Sequence, residues 1–555
     1  MTTIHVRWVS LHTDRGIIAR GYWDQGMIEN ALAGRYYGHP AAPTVEHLEV
    51  TGDEPTPAKI GVWIIPGMHH ADDTERLNAL LAVDDTVIVL VTGDEEQIFP
   101  IGRLKHPDMT LWRMTPWATQ PVAVQPLHDG PKADTWKILG EISTDFPEKD
   151  IPIHFRGQVN HQRRRDCMAA VRRYDGAVVE GTPGFTQGIE RAAYLTEMAR
   201  AQVVACPAGV SMPSSFRVFE ALEAGCIPVV DTRNPRGDRM ADYWRLDGFA
   251  PLDLPMVSEW SDLPRAMHYL KNVDVSAARL QGQWFQYRRS MAADILNSAT
   301  EPDAVSEGIT VVITTSPSPL HPDTSILEET IDSVRAHLPD AWVVIAADGL
   351  RVEQERFATP YAQYLRRVAW KANNVWDRVH LHYTGEWLHQ AGTTADAIRS
   401  CVDTPLILFM EHDTPFNDRD IDWDLSTRLV QSGALDVLRF HHEDSIPPDH
   451  EHMMIGDRVP EYLPMGVLPT VQWSQRPHLA RTDWYSEMLG RHFTGWGRTM
   501  IEDVMHGVAH NAWERMGLTG WANYKIGIYA PADGHLRRTL HTDGRRDEPK
   551  FEMRP

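Results

Sequence analysis

Apolar runs of strand length recur along this 555-residue chain, each followed by a polar stretch long enough for a helix. Up to about residue 145 they are Ile4 to Val9, Ile60 to Ile65, Thr86 to Val91 and Met109 to Met114, separated by helix-compatible segments such as Asp24 to Ala33. Strands buried on both faces read as uniformly apolar, and helices that return the chain cover those faces. The alternation therefore predicts an open α/β sheet.

A second unit starts near Ile151, where Ile153 to Arg156 runs into Gly157 and an arginine-rich helix, followed by strands at Ala177 to Glu180, Gln202 to Cys206 and Cys226 to Asp231. Two Rossmann-like halves in tandem are implied. Ser258 to Asn297 reads as mostly helical, and Ser298 to Glu307 as a linker. A third unit opens at Gly308 with the strand Ile309 to Thr314, a Ser-Pro-Ser-Pro turn and a helix from about Ser325 to His337. It continues with the strand Trp342 to Ala347, ending at Asp348-Gly349, and a helix through Thr393 to Ser400. That helix feeds the strand Leu406 to Met410, which ends on Glu411-His412-Asp413. The expected domains are 1–148, 149–300 and 308–555, with 301–307 as linker.

A chain this long exceeds what one hydrophobic core supports, and 42% apolar residues are ample for two to four domains. The longest apolar runs are too short to span a bilayer, and the first residues lack a signal-peptide pattern, so a cytoplasmic protein without a membrane span is expected. Four scattered cysteines without a CxxC pair speak against disulfides and structural zinc. A formal charge of −22 disfavours sustained contact with a polyanion. Arg163, Arg164, Arg165, Arg172 and Arg173, and the group Arg537, Arg538, Arg545 and Arg546, are local exceptions that fit either solvated surfaces or phosphate binding. Nine lysines against 45 arginines match a GC-rich genome such as that of an actinobacterium or its phage.

Residues 214 to 230 join a phosphate-friendly helix start to a buried strand. Ser214 and Ser215 can cap the helix, whose free amides and positive dipole end suit a diphosphate, and Glu220 can accept ribose hydroxyls. Arg217 stands close by, and Arg156 and Arg163 can approach phosphate through their planar guanidinium forks. With Cys-Pro-Ala-Gly at 206 to 209, this segment resembles the donor half of exostosin-like glycosyltransferases of the two-Rossmann (GT-B) type; the match covers roughly residues 150 to 235. An acceptor-side base is not fixed by spacing: His69 and His70 occupy a strand-end loop, and Asp14 and Asp24 are equally available.

Glu411-His412-Asp413 stands where GT-A glycosyltransferases carry their DxD motif, with Glu411 in place of the first aspartate. The likeness makes Asp413 the ligand of a divalent cation, Mn²⁺ or Mg²⁺, that bridges the donor diphosphate. Thr494-Gly495-Trp496-Gly497 followed by Glu502-Asp503 resembles an element of β-1,4-galactosyltransferase-like enzymes, though with a longer spacing. By that resemblance Asp503 is the base on the acceptor hydroxyl, Glu502 its companion, and Trp496 lies on the acceptor side. The segment from Arg538 to Pro549 is similar to the same family's C-terminal loop, where a histidine completes the metal shell. His541 is the matching residue and His535 a weaker candidate, while the family's sulfur ligand falls on Arg538, which leaves either other metal partners or an arginine on phosphate. Asp348 resembles the carboxylate that meets the nucleobase or ribose.

Together these resemblances imply two fused glycosyltransferases, a GT-B module followed by a metal-dependent, inverting GT-A module, each using a nucleotide-sugar donor, UDP-linked by expectation. The acceptor would be a glycan or a glycosylated protein. Two alternatives stand beside it: a phage-type enzyme that glycosylates hydroxymethylated DNA bases, and a non-catalytic scaffold that binds glycan or sugar nucleotide. The sequence gives no oligomeric state.

Overall fold

A computed structural model describes residues 3–13, 25–32, 44–52, 55–114, 122–127, 130–132, 134–184, 187–209, 211–240, 243–245, 252–270, 272–299, 308–383, 385–456, 466–493 and 499–542. The linker expected at 301–307 lies outside them. The described residues fall into two compact units, one formed by those through Ala299 together with Ala369–Trp376, the other by the remainder. Among the described residues no helix is long and apolar enough to cross a membrane.

The first unit contains two parallel sheets. One comprises β1 (Thr3–Val9), β2 (Thr44–Val50), β3 (Ile60–Pro66), β4 (Thr86–Thr92), β5 (Met109–Met114) and β6 (Gln125–Leu127), in the order β2-β1-β3-β4-β5-β6. The other comprises β7 (Ile151–Gln158), β8 (Val178–Thr182), β9 (Ala201–Cys206), β10 (Ile227–Asp231) and β11 (Met256–Val257), in the order β11-β10-β9-β7-β8. Every pairing within both is parallel. In each sheet the second strand of the chain lies on one side of the first and the third on the other. The strand order therefore reverses between β1 and β3 and again between β7 and β9, and open α/β sheets place ligands beyond the carboxyl ends at such reversals.

Burial follows position in the sheet. All of β3 and almost all of β4, both central, are buried. The edge strand β2 carries Glu46, His47 and Glu49 among its apolar residues. Among the buried ion pairs of this unit, Arg7 Nε and Nη2 donate to Asp84 at 2.7 and 2.5 Å, and both side chains are fully buried. Trp63 Nε1 and the Ala58 amide donate to the same carboxylate at 2.8 and 2.9 Å. Gly61 leaves room for it, since a Cβ there would stand 1.9 Å from Asp84 Oδ2.

The second unit has one mixed sheet of eight strands: β12 (Ile309–Thr315), β13 (Trp342–Ala347), β14 (Val379–Tyr383), β15 (Leu406–Glu411), β16 (Val437–Arg439), β17 (Val467–Pro469), β18 (His478–Arg481) and β19 (Ile526–Tyr529). Their order is β14-β13-β12-β15-β18-β16-β19-β17. The first four are mutually parallel, and β18 runs antiparallel to both of its neighbours. Val312, Ile407, Phe409, Ala480, Met505 and Ile526 belong to one core cluster, which fixes the helix Ile501–Met516 against the sheet. The order reverses between β12 and β15, so Thr315, Asp348 and Glu411 come to one carboxyl edge.

Candidate functional site

In the first unit, loops at the carboxyl ends of both sheets line a cavity of about 800 Å³ that carries Lys132, Arg156, Arg164, Arg191 and Arg217. Ser214, Ser215 and Phe216 bring to it the start of the helix Phe216–Glu223. That helix is anchored from behind by Glu223, whose carboxylate accepts from Trp136 Nε1 at 3.0 Å and Trp284 Nε1 at 2.7 Å. Arg217, 6% exposed, lies over the Phe155 ring at 5.4 Å. Its Nη2 donates to the Arg156 carbonyl at 3.0 Å and the Tyr194 hydroxyl is a further polar neighbour, while Nε and Nη1 make no hydrogen bond of ordinary length. The Ser215 hydroxyl is likewise buried without a partner. Buried donors left unmatched at a helix start, in a cavity lined by further cations, are complementary to an anion.

Gly157 makes this geometry possible, because a Cβ there would stand 2.2 Å from Arg217 Nη2. Gly157→Ala is expected to displace the guanidinium and weaken binding of an anion such as pyrophosphate about 10-fold or more, the loss of one charge-assisted hydrogen bond. Titration calorimetry with pyrophosphate measures this, and unchanged affinity would count against Arg217 as a ligand group.

Several expectations for this unit need correction. Ser215 is the N-cap residue, but its side chain makes no cap bond. Glu220 does not face ribose: it is 0% exposed, and its Oε1 accepts from Arg191 Nη1 at 2.8 Å behind the cavity wall. Burial raises its pKa, opposed by Arg191. Arg163 does not approach phosphate either, because Asp231 and Glu259 hold its guanidinium, with Nε to Asp231 at 3.0 Å and Nη1 to Glu259 at 2.9 Å. Arg156 lines the cavity, yet Glu197 takes its Nε and Nη2 at 2.8 and 2.9 Å and Glu180 pairs with it as well. Arg164, not singled out among its neighbours in the sequence, does line the cavity; burial and then Arg217 bring its pKa down to about 10. His69 ends the turn Gly67–His69, next to the cavity residue Met68. Burial and then His12 lower its pKa. Asp14 and Asp24 lie outside the described residues.

In the second unit the C-terminal segment runs alongside the loop after β15. Thr539 forms an antiparallel bridge with Phe416, the Leu540 amide donates to the Pro415 carbonyl at 2.8 Å, and the Thr542 amide to the Asp413 carbonyl at 2.9 Å. This pairing sets His541 Nε2 3.3 Å from Asp413 Oδ2. Burial alone would raise the Asp413 pKa, but His541 and His412 hold it below its ordinary value. Burial, with the charges of Asp413 and Glu502, pushes the Glu411 carboxyl up to about 8. Asp413 and Glu502 are near enough to Glu411 for their charges to raise its pKa, and His541 stands beside Asp413, an electrostatic setting that a hard divalent cation would relieve.

Gln390 links the parts: its Nε2 donates to Glu411 Oε1 at 2.9 Å, and its Oε1 accepts from the Ile501 amide at 2.9 Å, at the start of the helix Ile501–Met516. Glu502 turns inward, with Oε2 accepting from the Gln475 amide at 3.3 Å. Asp503 is exposed, on the side of His389. Asp348 is engaged already: its Oδ1 accepts from the Gly349, Leu388 and His389 amides at 2.9, 2.8 and 3.2 Å and from Thr393 Oγ1 at 3.0 Å. It therefore fastens the loop before the helix His389–Cys401, rather than offering that oxygen to a nucleoside.

Arg538 is a structural residue. Its guanidinium donates to Asp533 Oδ2 at 2.6 Å and to the Asp420, His535 and Arg537 carbonyls at 3.0, 2.9 and 2.8 Å, which leaves no fork for phosphate. His535 stands 3.6 Å from Asp444. Trp496 and its flanking glycines lie outside the described residues. Gln390 has no signal in the sequence, since only the fold brings a first-turn glutamine between a strand end and a helix start.

No family model matches the chain, and no curated protein matches it in sequence. Among solved structures it is similar in part to S. aureus TarS 1–349, at 12% identity and a TM-score of 0.26, over 42% of this chain and 60% of that one. It is also similar in part to mannose-1-phosphate geranyltransferase from Thermus thermophilus, at 14% identity and a TM-score of 0.22, over 42% of this chain and 73% of that one. This chain therefore spans less than two thirds of the TarS chain, and both likenesses leave more than half of this chain unmatched.

Proposed function

We propose that the protein is a glycosyltransferase with two nucleotide-sugar sites, one in each unit. The observation that carries this reading is the meeting of Asp413 with His541 at the end of β15, beside Glu411 and Glu502. Asp413 and His541 would hold the cation, Mn²⁺ or Mg²⁺, which when bound supplies positive charge opposite the diphosphate of the donor. Glu411, tied to Gln390, keeps the strand end and the helix Ile501–Met516 in register. Asp503, exposed one residue into that helix from the inward-facing Glu502, takes the proton of the acceptor hydroxyl. Adjacent helical residues point about 100° apart, so the two carboxylates serve different partners. Attack by the deprotonated hydroxyl on the anomeric carbon then breaks that carbon's bond to the diphosphate oxygen in one displacement, so the centre inverts and nucleoside diphosphate leaves.

In the first unit, Arg217, the Ser215 hydroxyl and the amides of the helix start offer hydrogen bonds to a diphosphate without a metal. The acceptor there remains a hydroxyl of a glycan or protein in this reading. Donor turnover in Asp503→Asn and Glu502→Gln tests the division of roles: Asp503→Asn should lower kcat about 10²- to 10⁴-fold with little change in donor KM. A loss of that size in Glu502→Gln alone would transfer the proton to Glu502.

A further inference from the structure

A second cluster with ligand chemistry lies in the first unit, apart from the cavity cations. His12 follows β1 and His70 follows β3, the neighbouring parallel strands between which the order of the first sheet reverses. Asp73 precedes the helix Thr74–Leu81 as its N-cap, yet its side chain makes no cap bond. It turns instead to His12, with Oδ2 2.7 Å from Nε2. The turn is fixed by its backbone: the His70 amide donates to the Gly67 carbonyl and the Asp73 amide to the His70 carbonyl, both at 3.1 Å.

His70 is fully buried, and its two ring nitrogens have different surroundings. Nδ1 lies 2.9 Å from the Pro66 carbonyl, an acceptor only, so Nδ1 carries the proton and donates. Nε2 is then left with its lone pair, buried, with no partner. The His12 ring stands 5.3 Å from the His70 ring, centroid to centroid, and one ligand atom from each of His12, His70 and Asp73 lies within 4.8 Å of the other two.

We propose that His12, His70 and Asp73 form a transition-metal site of the Zn²⁺ class, distinct from the Asp413 site. Two imidazoles and one carboxylate are the ligand set of a zinc centre that keeps a fourth position open, whereas Mg²⁺ and Mn²⁺ favour oxygen donors. The Pro66 carbonyl plays the part of the outer-shell acceptor that orients a metal-bound histidine and raises its basicity. Zinc bonds of about 2.0–2.2 Å at tetrahedral angles place ligand atoms about 3.3–3.6 Å apart, so His12 and Asp73, now at 2.7 Å, need to separate by a little under 1 Å. His70, which would hold the ion at the carboxyl edge of the sheet, lies two residues along the chain from the cavity residue Met68.

The test uses the full chain, stripped with a chelator and titrated with Co²⁺, whose visible absorption is intense only in tetrahedral sites, followed by displacement with Zn²⁺. Wild type and Asp413→Asn are expected to bind one equivalent with that spectrum. His12→Gln and Asp73→Asn, at positions only partly buried, are expected to fold as judged by circular dichroism and to bind about 100-fold more weakly or not at all. A wild-type chain without the tetrahedral band, or a band unchanged in both variants, overturns the site. A band lost in Asp413→Asn but kept in His12→Gln would assign the metal to the second unit instead.

Discussion

Asp413→Asn should reduce Mn²⁺-dependent release of nucleoside diphosphate by about 100-fold or more and weaken Mn²⁺ binding to match. The substitution keeps the side chain's shape and the backbone carbonyl that accepts from Thr542 at 2.9 Å, so the C-terminal segment stays docked. What it removes is the charge beside His541 and Glu411. The thermal transition should therefore hardly move while turnover collapses, which separates loss of a ligand from loss of fold. His541→Gln should show the same split with a smaller effect, since His541 sits at the more exposed side of the pair, 42% against 17% for Asp413.

The second large effect concerns stability. Asp84→Ala should destabilise the first unit by about 3–5 kcal/mol, because it strands the buried Arg7 guanidinium without its counter-charge. It also removes the acceptor of Trp63 Nε1 and of the Ala58 amide. Chemical denaturation followed by tryptophan fluorescence measures the loss, and Arg7→Leu combined with Asp84→Leu should cost less than Asp84→Ala, since neither charge is then left alone. A cost below about 1 kcal/mol for Asp84→Ala would mean that water reaches Arg7.

The central strands were legible because burial on both faces leaves no polar residue to blur them: Thr86 to Val91 and Trp342 to Ala347 read directly as β4 and β13. β2 was not, since Thr44–Val50 mixes Glu46, His47 and Glu49 with its apolar residues at a sheet edge. The strand β14, with His380 and His382 in five residues, and the short strands β16 to β19 escaped for a related reason. Their pairing is non-local, and three or four residues carry too little periodicity to be read.

Site residues followed a similar division. Glu411 closes β15 as its place after an apolar run predicts, and Asp413 and His541, expected from resemblance to share a site, stand 3.3 Å apart. The fate of a charged side chain could not be read that way. Arg163 and Arg217 look alike in sequence, but Arg163 meets Asp231 and Glu259, whereas Arg217 keeps two donors unmatched in the cavity. Glu220 points to Arg191 for the same reason: the helix face it occupies is set by Glu223, held by two tryptophans on the core side.

The most direct measurement is release of nucleoside diphosphate from a panel of sugar nucleotides, with and without Mn²⁺, in wild type and Asp413→Asn. A donor turned over by wild type only with Mn²⁺, and not by Asp413→Asn, is the predicted result. Mn²⁺-dependent turnover that survives in Asp413→Asn, or a wild type that neither binds nor cleaves any sugar nucleotide, would contradict the account.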